Sequence, residues 1–364
     1  MKHIIDRKFK KDTHTLTATP DYSPLDKLYE GRTARYGDYH AHSNSGGTSD
    51  GTTLPTAWLE AKHTLKIDFV GLMDHRQVRH QYLPEFDPTF FLYGSEPAGP
   101  WYTDPPLSCH YLMLFPEREA LERVLHKFPA EFRFTGGVEG HFEYIRMPFE
   151  KFLEIKDAVL AECGAFVNAH PKQQIKSDRI EDFYFGDRTA IEIIYCDSYD
   201  DQLNPHTKAN YELWLQMLAA GMRVYNTATT DAHYQAKNFG VNAVYAKEPI
   251  CREYVERLRE GDLNAGYIAV KMSLDEHPTG AIVPYKRGRK LHVKIEDTHE
   301  LLYDPARKYR VDIHTDRGIA YSAPLTLPFA VTLNARKRKF YRVEVLRDDD
   351  GGPAAIGNPI FIEN

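Results

Sequence analysis

Between Tyr36 and His233 short apolar runs repeatedly close on, or open from, a histidine or a carboxylate. This repetition constrains the fold more than any other feature of the chain. Ile67-Asp-Phe-Val-Gly-Leu-Met73 is nearly continuous in apolar residues, as a strand buried on both faces would be, and it ends in Asp74-His75. Phe90–Ser95 runs into Glu96, His110 opens onto Tyr111–Phe115, Ala165–Ala169 ends at His170, and Met222–Thr230 leads into Asp231-Ala-His233. Ala190–Tyr195 is a further apolar strand. Side chains alternate faces along a strand, so in Tyr36-Gly-Asp-Tyr-His-Ala-His-Ser43 the pair His40 and His42 points one way, with Asp38 one step behind.

Stretches of helical spacing separate these strands: Pro55 to Leu65 with Thr53 as a cap, Glu117–His126, Phe149–Glu162, His206–Ala220 closed by Gly221, and Arg252–Glu260. About seven strands interleaved with helices predict a mostly parallel layer whose polar residues gather where strands finish. No glycine-rich phosphate loop follows the first strand, which favours a barrel-like layer of fewer than eight strands over a doubly wound sheet. From Gly266 the pattern changes to short alternating segments: Tyr267–Met272, Leu291–Ile295, Tyr309–His314, Ala330–Leu333, Tyr341–Leu346 and Pro359–Ile362. Gly, Pro and Asp turns separate them, which predicts an all-β appendage, most simply a small sandwich. The expected organisation is a polar arm over residues 1–35, an α/β domain over 36–265 and a β domain over 266–364.

Composition excludes several classes. With 42% hydrophobic and 27% charged residues the chain reads as soluble and globular, and no apolar run nears the ~20 residues that span a bilayer. The N-terminal Met1–Asp12 has basic residues but no apolar core, so a secretory signal is not expected. Cys109, Cys163, Cys196 and Cys251 are scattered without CxxC pairs; this favours reduced thiols in the cytoplasm and excludes a finger-type thiolate zinc site. The net charge of −6 argues against general nucleic-acid binding through a basic surface. That charge is uneven: residues 266–364 hold 16 Lys/Arg against 13 Asp/Glu, a net of +3, which leaves −9 for residues 1–265.

His40, His42, His75, Glu96, His110, His170, Asp231 and His233 all close or flank strands of one layer. Nitrogen and oxygen ligands without sulfur suit zinc, manganese or iron and exclude a soft copper site. So many ligands exceed the needs of one ion, and two or three ions sharing Glu96 or a bridging hydroxide is the natural expectation. Such a cluster lowers the pKa of bound water towards ~7 and holds attacking and leaving oxygens together, which is hydrolytic machinery.

The HAH at 40–42, the DH at 74–75, Glu96, His110, the NAHP at 168–171 and the DAH at 231–233 resemble the PHP (polymerase and histidinol phosphatase) family. The resemblance spans roughly Tyr36 to Gly240 and implies a distorted (β/α)7 barrel, similar to amidohydrolases, with a trinuclear site. Gly37-Asp38 and the closing Asn358-Pro-Ile360 resemble a subgroup with a C-terminal β domain that includes carbamate and ester hydrolases. By this resemblance His40, His42, Glu96 and Asp231 hold one ion, Glu96, His110 and His170 a second, and Asp50, His75 and His233 a third. The loop Ser43–Asp50 is longer than the family's usual spacing before its SDG, and Met73 stands where a hydroxyl residue is usual before DH. Glu96, Asp231 and His233 carry the implied catalysis, with Asp74 orienting an imidazole from behind.

Lys172 and Arg188, near expected strand ends, are the candidates for meeting an anionic substrate. Glu139 and His141 either line the pocket or belong to a solvated loop; Trp101 and Tyr102 either wall it or pack; His206 belongs near a helix start. The expected activity is hydrolysis of a small phosphate ester. Carboxylic ester or carbamate hydrolysis is the alternative, and a non-catalytic metal-bound binding protein the second. No membrane partner is expected.

Overall fold

In a computed structural model of the chain, residues 9–101, 107–141, 147–195, 205–234 and 240–363 are described. Helix α1 (Ser23–Leu28) precedes β1 (Thr33–Ala41), α2 (Pro55–Thr64), β2 (Phe69–Leu72), β3 (Tyr93–Ser95), β4 (Ala98–Trp101) and β5 (Leu107–Phe115). Then come α3 (Arg118–Lys127), α4 (Pro129–Phe132), α5 (Phe149–Ala161), β6 (Ala165–Ala169), α6 (Pro171–Gln174), β7 (Ala190–Tyr195), α7 (Pro205–Ala220) and β8 (Tyr225–Thr229). Strand β9 (Asn242–Ala246), α8 (Cys251–Glu260) and β10 (Leu263–Gly266) lead into β11 (Ile268–Leu274), β12 (His277–Pro278) and β13 (Ile282–Pro284). The chain ends with β14 (Lys290–Thr298), β15 (Tyr309–Thr315), β16 (Gly318–Pro324), β17 (Phe329–Asn334), β18 (Phe340–Arg347), β19 (Pro353–Gly357) and β20 (Ile360–Glu363). No helix among the described residues is long and apolar enough to cross a membrane.

The fold is mixed α/β, but its sheets depart from the expected parallel layer. Strands β1/β2, β6/β7 and β7/β8 pair in parallel, whereas β3/β5, β4/β5, β5/β6 and β1/β9 are antiparallel. The reason lies in the connections. Only a short turn and β4 separate β3 from β5, too little for the crossover that parallel neighbours require. Nor do the described ladders close a barrel. One sheet runs β3-β5-β6-β7-β8 and another carries β1 and β2; single bridges, Ala41 to Ala232, Val70 to Phe91 and His75 to Glu96, link them.

Glycines set the approach of β1 to β2. A Cβ on Gly37 would lie 2.3 Å from the Phe69 carbonyl oxygen, and one on Gly71 would lie 2.3 Å from that of Tyr39. The expected helices form within a residue or two of their expected bounds, though α2 starts from Leu54 at its N-cap rather than Thr53.

All six segments expected after Gly266 fall on strands, namely β11, β14, β15, β17, β18 and β20, and β12, β13, β16 and β19 complete the region. They form two layers: a four-stranded sheet β12-β11-β14-β17 and a larger sheet continuing through β18-β19-β10-β9 into β1 and β2. The strand that bears His40 and His42 is therefore hydrogen-bonded, through β9 and β10, to the C-terminal region. One apolar core runs from Tyr39 to Ile362. Residues 9–17 lie along β16 and β17, bridging Lys11 to Ile319 and Leu16 to Leu333.

Candidate metal centre

The C-terminal end of β1 delivers His40 and His42, both fully buried. Behind them Asp38 Oδ1 accepts the His40 N–H at 2.9 Å, and Oδ2 accepts the Thr230 N–H at 3.1 Å and the Thr230 hydroxyl at 2.5 Å. One buried carboxylate thus fixes β1 to the turn that carries Asp231; burial pushes its pKa up to about 7. His75 follows β2, Glu96 follows β3, His170 follows β6, and Asp231 and His233 follow β8. His110 comes from within β5, paired opposite Ala169. Asp50 arrives on the loop after β1. Asp74 organises that loop, accepting the Ser43 N–H and the hydroxyls of Ser43 and Ser45, each at 2.7 Å. The imidazole nearest Asp74 is that of His80, at 3.6 Å, so Asp74 holds the loop rather than one of the predicted ligands.

All nine predicted ligands converge. Glu96 is the centre: its Oε2 lies 3.2 Å from His40 Nε2, 3.3 Å from His42 Nε2 and 3.1 Å from His75 Nδ1. Its Oε1 lies 3.0 Å from both His110 Nδ1 and His170 Nε2. Asp231 Oδ1 is 2.8 Å from His42 Nε2 and 3.3 Å from His40 Nε2. Asp50 Oδ2 is 3.3 Å from His233 Nε2 and 3.5 Å from His75 Nε2. Three groups have ligand atoms close enough to share an ion: His40, Glu96, His170 and Asp231; His75, Glu96 and His110; His42, Asp50, His75 and His233. Relative to the grouping the family resemblance implies, His170 joins His40, Glu96 and Asp231, His42 moves to the group of Asp50, His75 and His233, and His75 also sits with Glu96 and His110. His42 faces both ways, with Nε2 towards Asp231 and Nδ1 3.6 Å from Asp50.

The donor set fits metal ions better than hydrogen bonds. His40 Nδ1 lies 2.9 Å from Glu192 Oε1, so it carries the proton and leaves the Nε2 lone pair facing inward. That Nε2 is 3.2 Å from His42 Nε2. Glu96 Oε2 is buried among three imidazole nitrogens yet makes no hydrogen bond of ordinary geometry. Lone pairs and carboxylate oxygens converging on common points, out of water, call for cations between them.

Without an ion, the carboxylates draw onto these imidazoles protons that a bound cation would displace. Burial disfavours a charged His40, but Glu96, Glu192 and Asp231 outweigh it and hold its pKa well above the usual histidine range; His42 is pushed up to about 9. Burial likewise opposes ionisation of Glu96 and Asp231, yet His40 and its neighbours keep both carboxyls below their usual range. The backbone is also strained here: His170, Asp231 and Arg76 adopt φ values of 26°, 51° and 55°.

Two contributors escape sequence reasoning. Glu192, in the middle of β7, is fully buried and uses both oxygens, Oε1 towards His40 and Oε2 accepting the His170 N–H at 2.6 Å. Its only signal was a carboxylate inside an apolar strand. Tyr195, at the end of β7, donates its hydroxyl to Asp231 Oδ2 at 2.9 Å.

The predicted substrate-binding cations have partners or positions of their own. Lys172 Nζ donates to the Ser177 carbonyl at 3.1 Å and sits 4.4 Å from the centre of the Phe183 ring. Arg188 precedes β7, at the end remote from the cluster, and lines a cavity of about 320 Å³ with Tyr225, Arg259 and Gly280. Arg76, next to His75, is half-buried and forms no ion pair among the described residues. His141 bridges to Gln77, His206 packs its ring on Tyr195, Glu139 closes a short turn, and Tyr102 and the Trp101 side chain lie outside what is described.

No protein-family model and no curated protein sequence matches the chain. Solved structures similar to it include an amidohydrolase from Chromobacterium violaceum, with TM-score 0.35 and 16% identity over 61% of this chain and 95% of that one. The lesion-specific endonuclease EndoQ from Pyrococcus furiosus gives TM-score 0.38 and 15% identity over 62% of this chain and 56% of that one. Endonuclease Q in complex with a 27-mer duplex substrate gives TM-score 0.38 and 14% identity over 62% and 57%.

Proposed function

We propose that the chain is a metal-dependent hydrolase of the phosphoesterase type, acting on a small phosphate ester. The observation that supports it most is the convergence of nine nitrogen and oxygen ligands around the buried, unpartnered Glu96 Oε2. In this reading two or three zinc, manganese or iron ions, held by the three groups above, supply a nucleophile at neutral pH and stabilise charge developing on the scissile group. Residues 36–265 provide those ligands, and residues 266–364 brace the strand that carries His40.

The chain's own groups do the rest. Glu192 orients His40 and the His170 backbone together. Tyr195 holds Asp231 Oδ2 by its hydroxyl, which places Asp231 to take the proton of an attacking water. His233, with a side chain 38% exposed, is the most open of the clustered imidazoles and relays protons to solvent. Arg76, beside His75 and in no ion pair among the described residues, is the cation available to meet the anionic part of the substrate.

Hydrolysis of a carboxylic ester or carbamate is the second reading. The engagement of Lys172 by Ser177 and Phe183 and the placement of Arg188 before β7 favour it, since a neutral substrate needs no such cations. Assays with p-nitrophenyl phosphate, bis-p-nitrophenyl phosphate and p-nitrophenyl acetate in the presence of manganese separate the two. Phosphate turnover that vanishes in Asp231→Ala supports the first reading. Turnover of the acetate alone transfers the assignment to the second, and no turnover by metal-loaded protein leaves a binding role.

A further inference from the structure

The overall charge of −6 conceals a local excess of the opposite sign. Two basic runs, Tyr285-Lys-Arg-Gly-Arg-Lys290 and Ala335-Arg-Lys-Arg-Lys339, lie almost fifty residues apart in sequence. Strands β14 and β17 pair antiparallel with Lys290 opposite Asn334, so the turn that enters β14 and the turn that leaves β17 share one end of the sheet. The Ala335 N–H donates to the Arg289 carbonyl at 3.0 Å, which ties the turns directly.

Part of this charge is structural. Arg289 pairs with Asp275 at 3.1 Å and Arg338 pairs with Asp12 at 2.6 Å. The rest is not neutralised. Lys286, Arg287, Arg336 and Lys337 are exposed and have no carboxylate within ion-pair distance among the described residues. Self-repulsion of uncompensated cations in touching turns disfavours the folded state, so stability does not account for them. The half-buried Tyr285 stands among them, with Lys337 Nζ 5.9 Å from its ring centre.

We infer that these paired turns form a binding surface for single-stranded nucleic acid. The free cations follow the phosphates, and the part of Tyr285 left exposed where it packs against the core beside Lys337 supplies an aromatic contact for a base, the combination that sequence-tolerant single-strand binders use. An anionic membrane fits less well, because surface docking needs an apolar face to insert. The exposed large apolar side chains of the described residues are Leu16, Leu54, Tyr234 and Leu301, and only Leu16, whose backbone bridges Leu333, comes near the turns. This surface is independent of the hydrolase reading, since none of its residues belongs to the metal centre and binding is read without turnover.

The test is fluorescence anisotropy of a labelled mixed-sequence 12-nucleotide DNA strand titrated with the full chain over a series of KCl concentrations. Four phosphate contacts predict that each doubling of salt weakens binding about 7-fold. Charge reversal at Lys286, Arg287, Arg336 and Lys337 together should weaken binding at least ~10-fold, with no fall in melting temperature. The same reversal at the exposed Lys27, Lys62, Lys208 and Lys247 should leave most of the affinity. Tyr285→Ala should weaken binding while keeping the salt slope. The proposal is overturned by salt-independent binding, by equal losses in the two charge-reversal variants, or by capture on phosphatidylserine vesicles without oligonucleotide binding.

Discussion

Replacing Glu192 tests whether the cluster is a built metal centre, because this residue touches the ligand set without belonging to it. The carboxylate is fully buried, and Glu192→Ala leaves the His40 Nδ1–H and the His170 N–H without acceptors. Loss of a group that orients metal ligands lowers metal affinity about 10- to 100-fold. At ~1.36 kcal/mol per tenfold that is about 1.4–2.7 kcal/mol. Because two ligand-bearing elements lose their anchor at once, Glu192→Ala belongs near the 100-fold end. Glu192→Gln keeps one carbonyl oxygen for one of the two donors and belongs near 10-fold. The assay is competition with a chromophoric chelator for zinc or manganese, with circular dichroism melts to establish that each variant is folded. A folded Glu192→Ala chain that holds metal as tightly as the wild type would refute the reasoning, as would a Gln variant weaker than the Ala variant.

Other outcomes follow from the same geometry. His40→Ala should abolish most hydrolytic activity, by about 100-fold or more, and lower the metal content; unchanged turnover removes His40 from the site. Gly37→Ala places a Cβ 2.3 Å from the Phe69 carbonyl oxygen, and forcing β1 from β2 should cost about 3 kcal/mol in urea unfolding. Asp12 titrates below its ordinary 3.8 because Arg338 hydrogen-bonds its carboxylate, so its stabilising contribution is complete above that pH and fades as pH falls below it. The stability difference between wild type and Asp12→Asn should therefore be constant from pH 6 to about 5 and shrink below about pH 4. A difference that grows on acidification would contradict the pairing.

Apart from Asp50, the converging residues were legible in sequence because each sits at or beside a strand, where the backbone alone decides which end of a sheet a side chain occupies. His40 and His42 follow from strand alternation, and His75, Glu96 and His170 from the apolar runs before them. Asp50 was harder: its long loop is positioned by Asp74 gripping Ser43 and Ser45, a contact between distant segments. Glu192 was invisible for the same kind of reason, since only the packing of β7 beside β1 and β6 turns its carboxylate into a clasp. Arg188 lies before β7 rather than after it, a placement set by where the strand begins. Strand direction was not encoded locally either. The antiparallel setting of β5 depends on the short excursion through β4, and the continuity of the C-terminal strands with β1 depends on β9 and β10 pairing between them.

The central claim is that this cluster holds more than one divalent ion, and elemental analysis of the purified full chain tests it most directly. After saturation with zinc or manganese and removal of free metal, the wild type should retain at least two ions per chain, falling in His40→Ala and in Asp231→Ala. One ion per chain or fewer in folded wild-type protein would contradict the account.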